Sequence, residues 1–269
     1  MKEGLVSIVT PLYNSEKFIE ETIVSVLNQT YSMWEMLIVD DCSSDNGSEI
    51  VKKYAQSDER IKYIKMDVNS GAAKTRNKAI EISQGEYIAF LDSDDLWEKN
   101  KLEKQVEFMK NNNYSVTFTD YEEINEVGDK LNILIRSPKK PVTYRRYLLT
   151  NPIGCLTGMY SVKKLGKIYM PLLRNREDTA FWLRILKIPG VKAFSLKENL
   201  ALYRLRGSSL SANKYKLLRF HWHLYRNIEK LSILESVFYM GATIVTKIFK
   251  IKEEKIIEEI ARENNIENN

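Results

Sequence analysis

Short apolar runs alternate with segments of helical periodicity along the first half of the chain. Five largely apolar runs predict buried strands over residues 5–10, 36–40, 61–64, 87–91 and 115–119. Between them, apolar residues recur three and four positions apart, which predicts helices over residues 16–27, 72–82 and 97–110 and around residues 50–54. This alternation indicates βαβ units. We therefore predict an α/β fold with a mostly parallel central sheet and helices on both faces.

Polar residues follow several of these strands at the point where ligands bind in sheets of this kind. Pro11 to Asn14 follow the first strand, Asp40 and Asp41 follow the second, and Asp92 to Asp95 follow the fourth. Such residues can also cap helices, which suits Ser43 to Asp45. Capping is a poor explanation for three acidic residues directly after a buried strand, so we expect a functional site at this edge.

The acidic group after the fourth strand favours a metal site. In a strand, Asp92 and Asp94 point the same way and Ser93 points away. Neighbouring carboxylates repel each other unless a cation lies between them, and oxygen ligands suit Mg²⁺ or Mn²⁺. Such an ion completes its shell with substrate phosphates. The chain has neither the G-x-G-x-x-G turn of dinucleotide enzymes nor a P-loop, so these two classes are excluded.

Composition narrows the class of protein further. The chain has 269 residues, 43% of them hydrophobic and 29% charged, which is typical of a globular protein. Its net charge of +5 is too small to indicate nucleic-acid binding. Cys42 and Cys155 are its two cysteines, which excludes a disulfide scaffold and a cysteine zinc site. No apolar run is long enough to cross a membrane, so we expect a cytoplasmic protein.

The positive charge is concentrated near the C-terminus. Residues 214–255 hold nine Lys and Arg against four Glu, an excess of five that equals the charge of the whole chain. We divide the chain into a catalytic domain, 1–213, and a helical extension, 214–269, with helices over 220–223 and 228–251. Basic helices rich in aromatic residues can lie on an anionic membrane, at its inner face in this case. They can equally pack on the catalytic domain with their charges in solvent.

Several motifs, taken in order, resemble family 2 glycosyltransferases of the GT-A fold. The matching segments are residues 6–14, 25–31, 38–45, 71–77, 87–95 and 176–182. One position departs from the family pattern, because Cys42 stands where the family usually has Gly in a D-D-G-S turn. The turn must therefore adopt a geometry that tolerates a Cβ atom.

The resemblance implies roles for the nucleotide-binding residues. Pro11 and Tyr13 would line the nucleobase pocket, and Asp41 would accept the uracil N3–H. Arg76 would contact the nucleotide. Asp40 would be structural or lie near the ribose.

It likewise implies roles around the sugar and the diphosphate. Asp92 and Ser93 would bind the nucleotide near the ribose. Asp94 would ligate Mn²⁺ or Mg²⁺, and Asp95 would contact the sugar or support the site.

On the acceptor side, the resemblance makes Asp178 the general base, with Glu177 as the less favoured candidate. Asp178 could instead cap a helix over residues 180–186. Arg204 or Arg206 could reach the diphosphate, or both could belong to a solvated basic loop.

These assignments predict an inverting, metal-dependent enzyme of surface-polysaccharide biosynthesis. It would move a hexose or N-acetylhexosamine from a UDP-sugar to a hydroxyl of a lipid-linked glycan. One alternative is a metal-dependent nucleotidyltransferase, although residues 10–18 lack the basic, glycine-rich loop it needs. Another is a membrane-associated protein that binds nucleotide sugars without transferring them.

Overall fold

The computed structural model describes residues 1–173, 176–206 and 214–245. The chain forms two compact units. The first comprises residues 1–144 and 152–209, and the second comprises residues 145–151 and 210–269. The second unit therefore takes in a short internal segment in addition to the C-terminal extension.

A mixed sheet of nine strands forms the first unit. The strands are β1 (Lys2–Leu12), β2 (Trp34–Asp40), β3 (Ile61–Lys65), β4 (Gly85–Phe90), β5 (Leu96–Trp97), β6 (Val116–Ile124), β7 (Lys130–Ile135), β8 (Met159–Ser161) and β9 (Ala193–Arg204). Their order is β3-β2-β1-β4-β8-β6-β9-β5, with β7 paired to β6. The sheet is parallel from β3 to β4, as the sequence predicts, and mixed beyond it.

Helices flank this sheet, and the predicted α/β class is confirmed. They are α1 (Ile19–Leu27), α2 (Gly47–Ser57), α3 (Ala72–Ile82), α4 (Lys101–Asn111), α6 (Val162–Leu165) and α7 (Glu177–Leu186). Helix α5 (Tyr144–Thr150) belongs, apart from its first residue, to the second unit. A 3₁₀ turn spans Cys155–Thr157. In the second unit, α8 (Lys214–His223) continues into a π-helical segment, Leu224–Ile228, and α9 covers residues 233–245.

Most elements lie where the apolar pattern places them, and α3 agrees at both ends. The helix predicted from residue 97 begins only at Lys101, because Leu96 and Trp97 pair with β9 as a short strand. The strand predicted over 115–119 continues to Ile124, because β6 pairs with β9 along its whole length. Part of the helix predicted over 228–251 lies outside the described residues.

The parallel half of the sheet is the centre of the core. Every residue of β2 and of β4 is buried, so both faces of the sheet are covered there. Burial on both faces explains why these strands appear in the sequence as continuous apolar runs. Within the described ranges, no helix is long and apolar enough to cross a membrane.

Candidate active site

The loops that follow β1, β2 and β4 meet at one edge of the sheet, as predicted. The Ser93 hydroxyl, after β4, donates to Ser15 Oγ at 2.9 Å. The backbone N–H of Ser44, after β2, donates to Asn14 Oδ1 at 2.9 Å. These bonds join the β1 loop to both other loops. The polar residues identified from the sequence therefore belong to one site.

Asp41 is buried and holds the loop that leads into α3. One carboxylate oxygen accepts the backbone N–H of Ser70 at 2.6 Å, and the other accepts that of Gly71 at 2.7 Å. Each oxygen of a carboxylate has a second lone pair and can accept a further hydrogen bond. Two bonds from backbone amides fix the orientation of this carboxylate before any ligand arrives.

The turn after β2 keeps a backbone that favours glycine, so the expectation of a geometry that readily tolerates a Cβ atom is wrong. Cys42 has a φ of 62°, in the left-handed region that glycine adopts most easily. Its Sγ donates to the Met66 carbonyl at 3.1 Å. The neighbouring Asp40 accepts hydrogen bonds from Ser43 and from the Tyr63 hydroxyl. Asp40 thus stabilises the turn, which fits the structural role considered for it.

Tyr13 is the exposed aromatic residue of this edge. It follows the buried Leu12 and leaves 52% of its surface open to solvent, while Pro11 is half-buried. The backbone N–H of Asp41 donates to the carbonyl of Leu12, the residue before Tyr13, at 2.9 Å. An exposed ring at this edge can pack against a planar base.

Arg76 bridges two parts of the site that lie far apart in sequence. Its Nη2 lies 2.5 Å from Asp92 Oδ1, and its Nη1 lies 2.9 Å from Glu177 Oε1. Burial opposes its charge, but the charges of Asp92 and Glu177 outweigh that effect and hold the pKa of Arg76 well above its usual value. The loop after β4 and the start of α7 are therefore held together by one buried guanidinium.

Glu177 and Asp178 form the first turn of α7. The helix begins at Glu177 and is preceded by Arg176 with a φ of 60°, so the alternative in which Asp178 caps a helix over 180–186 is wrong. The Asp178 carboxylate lies 3.5 Å from the Thr179 hydroxyl, at the outer limit of a hydrogen bond. Burial raises the pKa of Glu177 against the opposing effect of Arg76.

Cys155 is a site residue that the sequence analysis missed. Its thiol is partly exposed on the 3₁₀ turn. Burial, together with the charges of Asp92, Asp178 and Glu177, raises the pKa of this thiol well above its usual value, although Arg76 opposes the shift. The thiol is therefore neutral, and it lies close enough to Asp92, Asp178 and Glu177 to be affected by their charges. No sequence pattern marks an isolated cysteine for this position.

The two arginines after β9 have different surroundings. All three guanidinium nitrogens of Arg204 donate within the protein, to the Glu21 carboxylate at 2.6 Å and to the carbonyls of Glu126 and Asp94 at 2.9 and 2.8 Å. A contact between Arg204 and a diphosphate would require these bonds to break. Arg206 is 30% exposed and lies 3.2 Å from Asp94 Oδ2, so it is the arginine that a ligand can reach.

The carboxylates after β4 carry unfavourable negative charge. Burial and then the charge of Asp92 raise the pKa of Asp94, against the effect of Arg206. Burial and the charges of Asp94 and Asp92 raise the pKa of Asp95 well above its usual value, against the bond from the Arg204 N–H. Asp95 is only 1% exposed and cannot touch a ligand without rearrangement.

This charge distribution fits a divalent cation at Asp94. A cation beside Asp94 and Asp92 would relieve the repulsion between them, and carboxylate oxygens suit Mg²⁺ and Mn²⁺. In the described part of the chain, no group of three or more His, Cys, Asp or Glu side chains forms a complete metal cage. An ion of this class can take one or two carboxylates and complete its shell with water and substrate phosphates.

Two relatives align with this chain over most of their length. TuaG of Bacillus subtilis (strain 168), whose name assigns it to teichuronic acid biosynthesis as a glycosyltransferase, is 46% identical over 234 residues, covering 87% of this chain and 92% of TuaG. WfgD of Escherichia coli, a UDP-Glc:alpha-D-GlcNAc-diphosphoundecaprenol beta-1,3-glucosyltransferase, is 39% identical over 250 residues, covering 93% of this chain and 96% of WfgD.

A solved structure shares the fold. Residues 1–349 of Staphylococcus aureus TarS, in complex with UDP-GlcNAc, superpose with a TM-score of 0.64 at 26% identity, covering 83% of this chain and 67% of that one. Residues 7–167, more than half of the chain, match the sequence profile of glycosyl transferase family 2. The resemblance inferred from the motifs is confirmed, and the nucleotidyltransferase alternative is excluded. On its profile match and its relatives, the chain belongs to glycosyl transferase family 2.

Proposed function

We propose that this glycosyltransferase moves a hexose or N-acetylhexosamine from a UDP-sugar to a hydroxyl of a lipid-linked glycan, with inversion at the anomeric carbon. The observation that carries this proposal is the Arg76 bridge. It holds the donor-side carboxylate Asp92 and the acceptor-side residue Glu177 on one guanidinium, at 2.5 and 2.9 Å. A transfer reaction needs its two substrates held in fixed relation, and this bridge fixes the groups on both sides.

The uracil base is assigned to Tyr13 and Asp41. The oriented carboxylate of Asp41 can accept the N3–H of uracil through a free lone pair, whereas cytosine presents an acceptor at N3 and would be repelled. The exposed ring of Tyr13, beside Pro11, can pack on the face of the base. Ser93 and Asp92 lie at the same edge and are assigned to the nucleotide near its ribose.

Asp94 would hold a divalent cation when the donor is bound, while Asp92 stays paired with Arg76. Enzymes of this fold generally use such an ion, which supplies positive charge beside the leaving diphosphate. Arg206, now paired with Asp94, can turn its fork to the phosphate oxygens. The buried Asp95 carboxylate accepts the backbone N–H of Arg204, and the Arg204 guanidinium donates to the Asp94 carbonyl. Both bonds hold the loop after β4.

Asp178 is assigned as the general base. As the acceptor oxygen attacks the anomeric carbon, the Asp178 carboxylate takes the hydroxyl proton, the bond from carbon to the diphosphate breaks, and UDP leaves from the opposite face. Glu177 is already engaged by Arg76, whereas among the described residues Asp178 makes one long contact, with the Thr179 hydroxyl. The carboxylate that is less engaged is the better proton acceptor.

A thermal-shift assay with UDP and UDP-sugars, with Mn²⁺ and with chelator, tests the donor assignment. We expect UDP to raise Tm and Mn²⁺ to raise it further. Asp94→Asn should abolish the further rise that Mn²⁺ causes. If no UDP compound shifts Tm under any metal condition, the donor assignment is wrong.

Transfer assays on the same panel test the base. Asp178→Asn should retain the UDP shift and lose transfer by about 100-fold or more. Glu107→Gln, the same kind of change on the exposed side of α4, is the control and should leave both unchanged. If Asp178→Asn keeps full transfer and Glu177→Gln loses it, the role belongs to Glu177.

The acceptor class rests on the relatives. WfgD acts, by its name, on a sugar diphosphate carried by undecaprenol, and TuaG is assigned to an envelope polymer. A lipid-linked acceptor for this chain would place the reaction at the inner face of the plasma membrane, with residues 214–255 supplying positive charge towards anionic lipid. Incubation with short lipid-linked sugar diphosphates, followed by mass spectrometry, would identify the product.

A further inference from the structure

The last described helix of the second unit has its apolar side facing solvent. Six large apolar residues of α9 are between 38% and 83% exposed: Ile233, Leu234, Val237, Phe238, Ile244 and Val245. At 100° per residue they occupy one continuous arc of about 140°, together with Gly241. We call this arc the α9 apolar face. It contains no charged or hydrogen-bonding side chain.

The opposite side of the same helix carries hydroxyl groups and is packed. Ser236 is fully buried and Thr243 is 7% exposed. Thr243 Oγ1 lies 3.1 Å from the Tyr225 hydroxyl, which also donates to the Leu148 carbonyl at 3.1 Å. A helix on the surface of a soluble domain normally buries its apolar side, so this arrangement is inverted. An exposed apolar face of this size indicates an interaction surface.

We infer that the α9 apolar face lies in the headgroup region of an anionic membrane, with the helix parallel to the surface. Flanking positive charge favours lipid over a second copy of the chain. Arg226 and Lys230 precede the helix with Glu229 between them, Lys247 and Lys250 follow it in the sequence, and Glu235 is the one acidic residue within 233–245. Four basic against two acidic residues give 226–250 a net charge of +2. Two copies would bring like charges together, whereas anionic headgroups attract each basic residue.

Residues 233–245 are the described part of α9, and within the described ranges no helix is long and apolar enough to span a bilayer. Interfacial helices bury their apolar side at the boundary between headgroups and acyl chains, with polar groups turned away. The choice of a membrane also rests on the proposed lipid-linked acceptor, because an enzyme held at the surface meets such an acceptor in two dimensions.

Co-sedimentation of the full chain with vesicles tests this inference. The probes are vesicles of phosphatidylcholine alone and of phosphatidylcholine mixed with phosphatidylglycerol. We expect binding to the mixed vesicles, weaker binding to the neutral ones, and a loss of about tenfold or more in the double variant Leu234→Glu/Phe238→Glu. The control, Met33→Glu/Leu134→Glu, places the same charges at residues of the first unit that are 48% and 39% exposed and should bind like the parent.

Three outcomes would overturn the inference. The first is that the parent chain does not bind mixed vesicles. The second is that the Leu234→Glu/Phe238→Glu variant binds them as well as the parent does. The third is that the parent does not bind lipid and forms a dimer in solution that this variant converts to a monomer, which would mean that a second copy covers the face. Binding that is equal on both kinds of vesicle would overturn the anionic preference.

Failure of this inference can be told apart from failure of the proposed function. The Leu234→Glu/Phe238→Glu variant should keep the UDP-dependent shift in Tm, which also shows that it folds. Asp178→Asn should bind vesicles like the parent chain. If the parent chain shows a UDP-dependent shift in Tm but does not bind vesicles, only the membrane inference is wrong. If it binds vesicles but shows no UDP-dependent shift, only the donor assignment is wrong.

Discussion

A buried lysine should make the stability of this protein depend on pH in a measurable way. Lys101, the first residue of α4, has no exposed surface. Its Nζ donates to Gln105 Oε1 at 2.6 Å and lies 4.1 Å from the centre of the Trp97 ring. Burial lowers the pKa of Lys101 from 10.5 to about 7. The folded chain therefore holds a mostly neutral amine at mildly alkaline pH.

The sign of the effect follows from counting protons. The unfolded chain keeps the Lys101 proton up to its ordinary pKa of 10.5, whereas the folded chain releases it above about pH 7. Between these values the unfolded state binds one more proton, so the free energy of unfolding rises with pH by about 1.4 kcal/mol per pH unit. From about pH 7.5 to 9 the contribution of Lys101 is about 2 kcal/mol. Below pH 7 the cost of burying the charged amine is present in full.

Urea denaturation of the parent chain and of Lys101→Met, at several pH values between about 7.5 and 9, measures this contribution. The parent should gain about 2 kcal/mol relative to Lys101→Met across that range. Lys99→Met is the same change at an exposed position nearby. Its free energy of unfolding should change with pH as that of the parent does. If the free energy of unfolding of Lys101→Met has the same pH dependence as that of the parent, Lys101 does not titrate with a lowered pKa and the reasoning is refuted.

Three further substitutions test the packing of the site. Arg76→Met leaves two partly buried carboxylates unpaired and should lower the free energy of unfolding by about 3 kcal/mol and abolish transfer, as measured by urea denaturation and product formation. Asp41→Asn keeps one of two bonds to backbone amides, so it should cost about 1–3 kcal/mol and raise the KM for the donor. In Gly158→Ala the new Cβ would meet Trp182 at 2.2 Å, and we expect a loss of about 1–3 kcal/mol. Gly241→Ala, which meets nothing within 4 Å, should not destabilise the chain and is the matched control.

The sequence predicts the parallel half of the fold because burial leaves a local signature there. Strands covered on both faces appear as unbroken apolar runs, and β2 and β4 are of this kind. The short strands have no such signature. β5 has two residues and β8 has three, and they exist only because β9, β4 and β6 lie beside them. A pattern with a period of two cannot be recognised over so few positions.

Site residues can be predicted from the sequence where they follow a strand or belong to a motif. They cannot be predicted where their role depends on a contact with a residue distant in sequence. Asp41 and Asp94 follow apolar runs directly, so position alone makes them candidates. The pairing of Arg76 with Glu177 joins residues 101 positions apart and has no local signal. The contrast between Arg204 and Arg206 is of the same kind, because only the folded chain buries one and exposes the other.

Exposure of the α9 apolar face also lies beyond sequence analysis. The sequence shows apolar residues in a helix, and such a helix usually buries them. The packed side includes the contact of Thr243 with Tyr225, which joins residues 18 positions apart and has no local signal in the sequence. The sequence shows how many apolar residues the helix has. Whether those residues are buried or exposed depends on the tertiary contacts of the helix.

Two buried arginines hold the loop after β4 and leave one of its carboxylates available. Arg76 engages Asp92, and Arg204 bonds to the Asp94 carbonyl while its backbone N–H bonds to Asp95. The loop is therefore oriented before substrate arrives, so little reorganisation is needed on binding. The Asp94 carboxylate is paired with Arg206, which is 30% exposed. In the proposed reaction, a cation would reach Asp94 by displacing this ion pair, and the released Arg206 would then turn to the diphosphate that accompanies the cation.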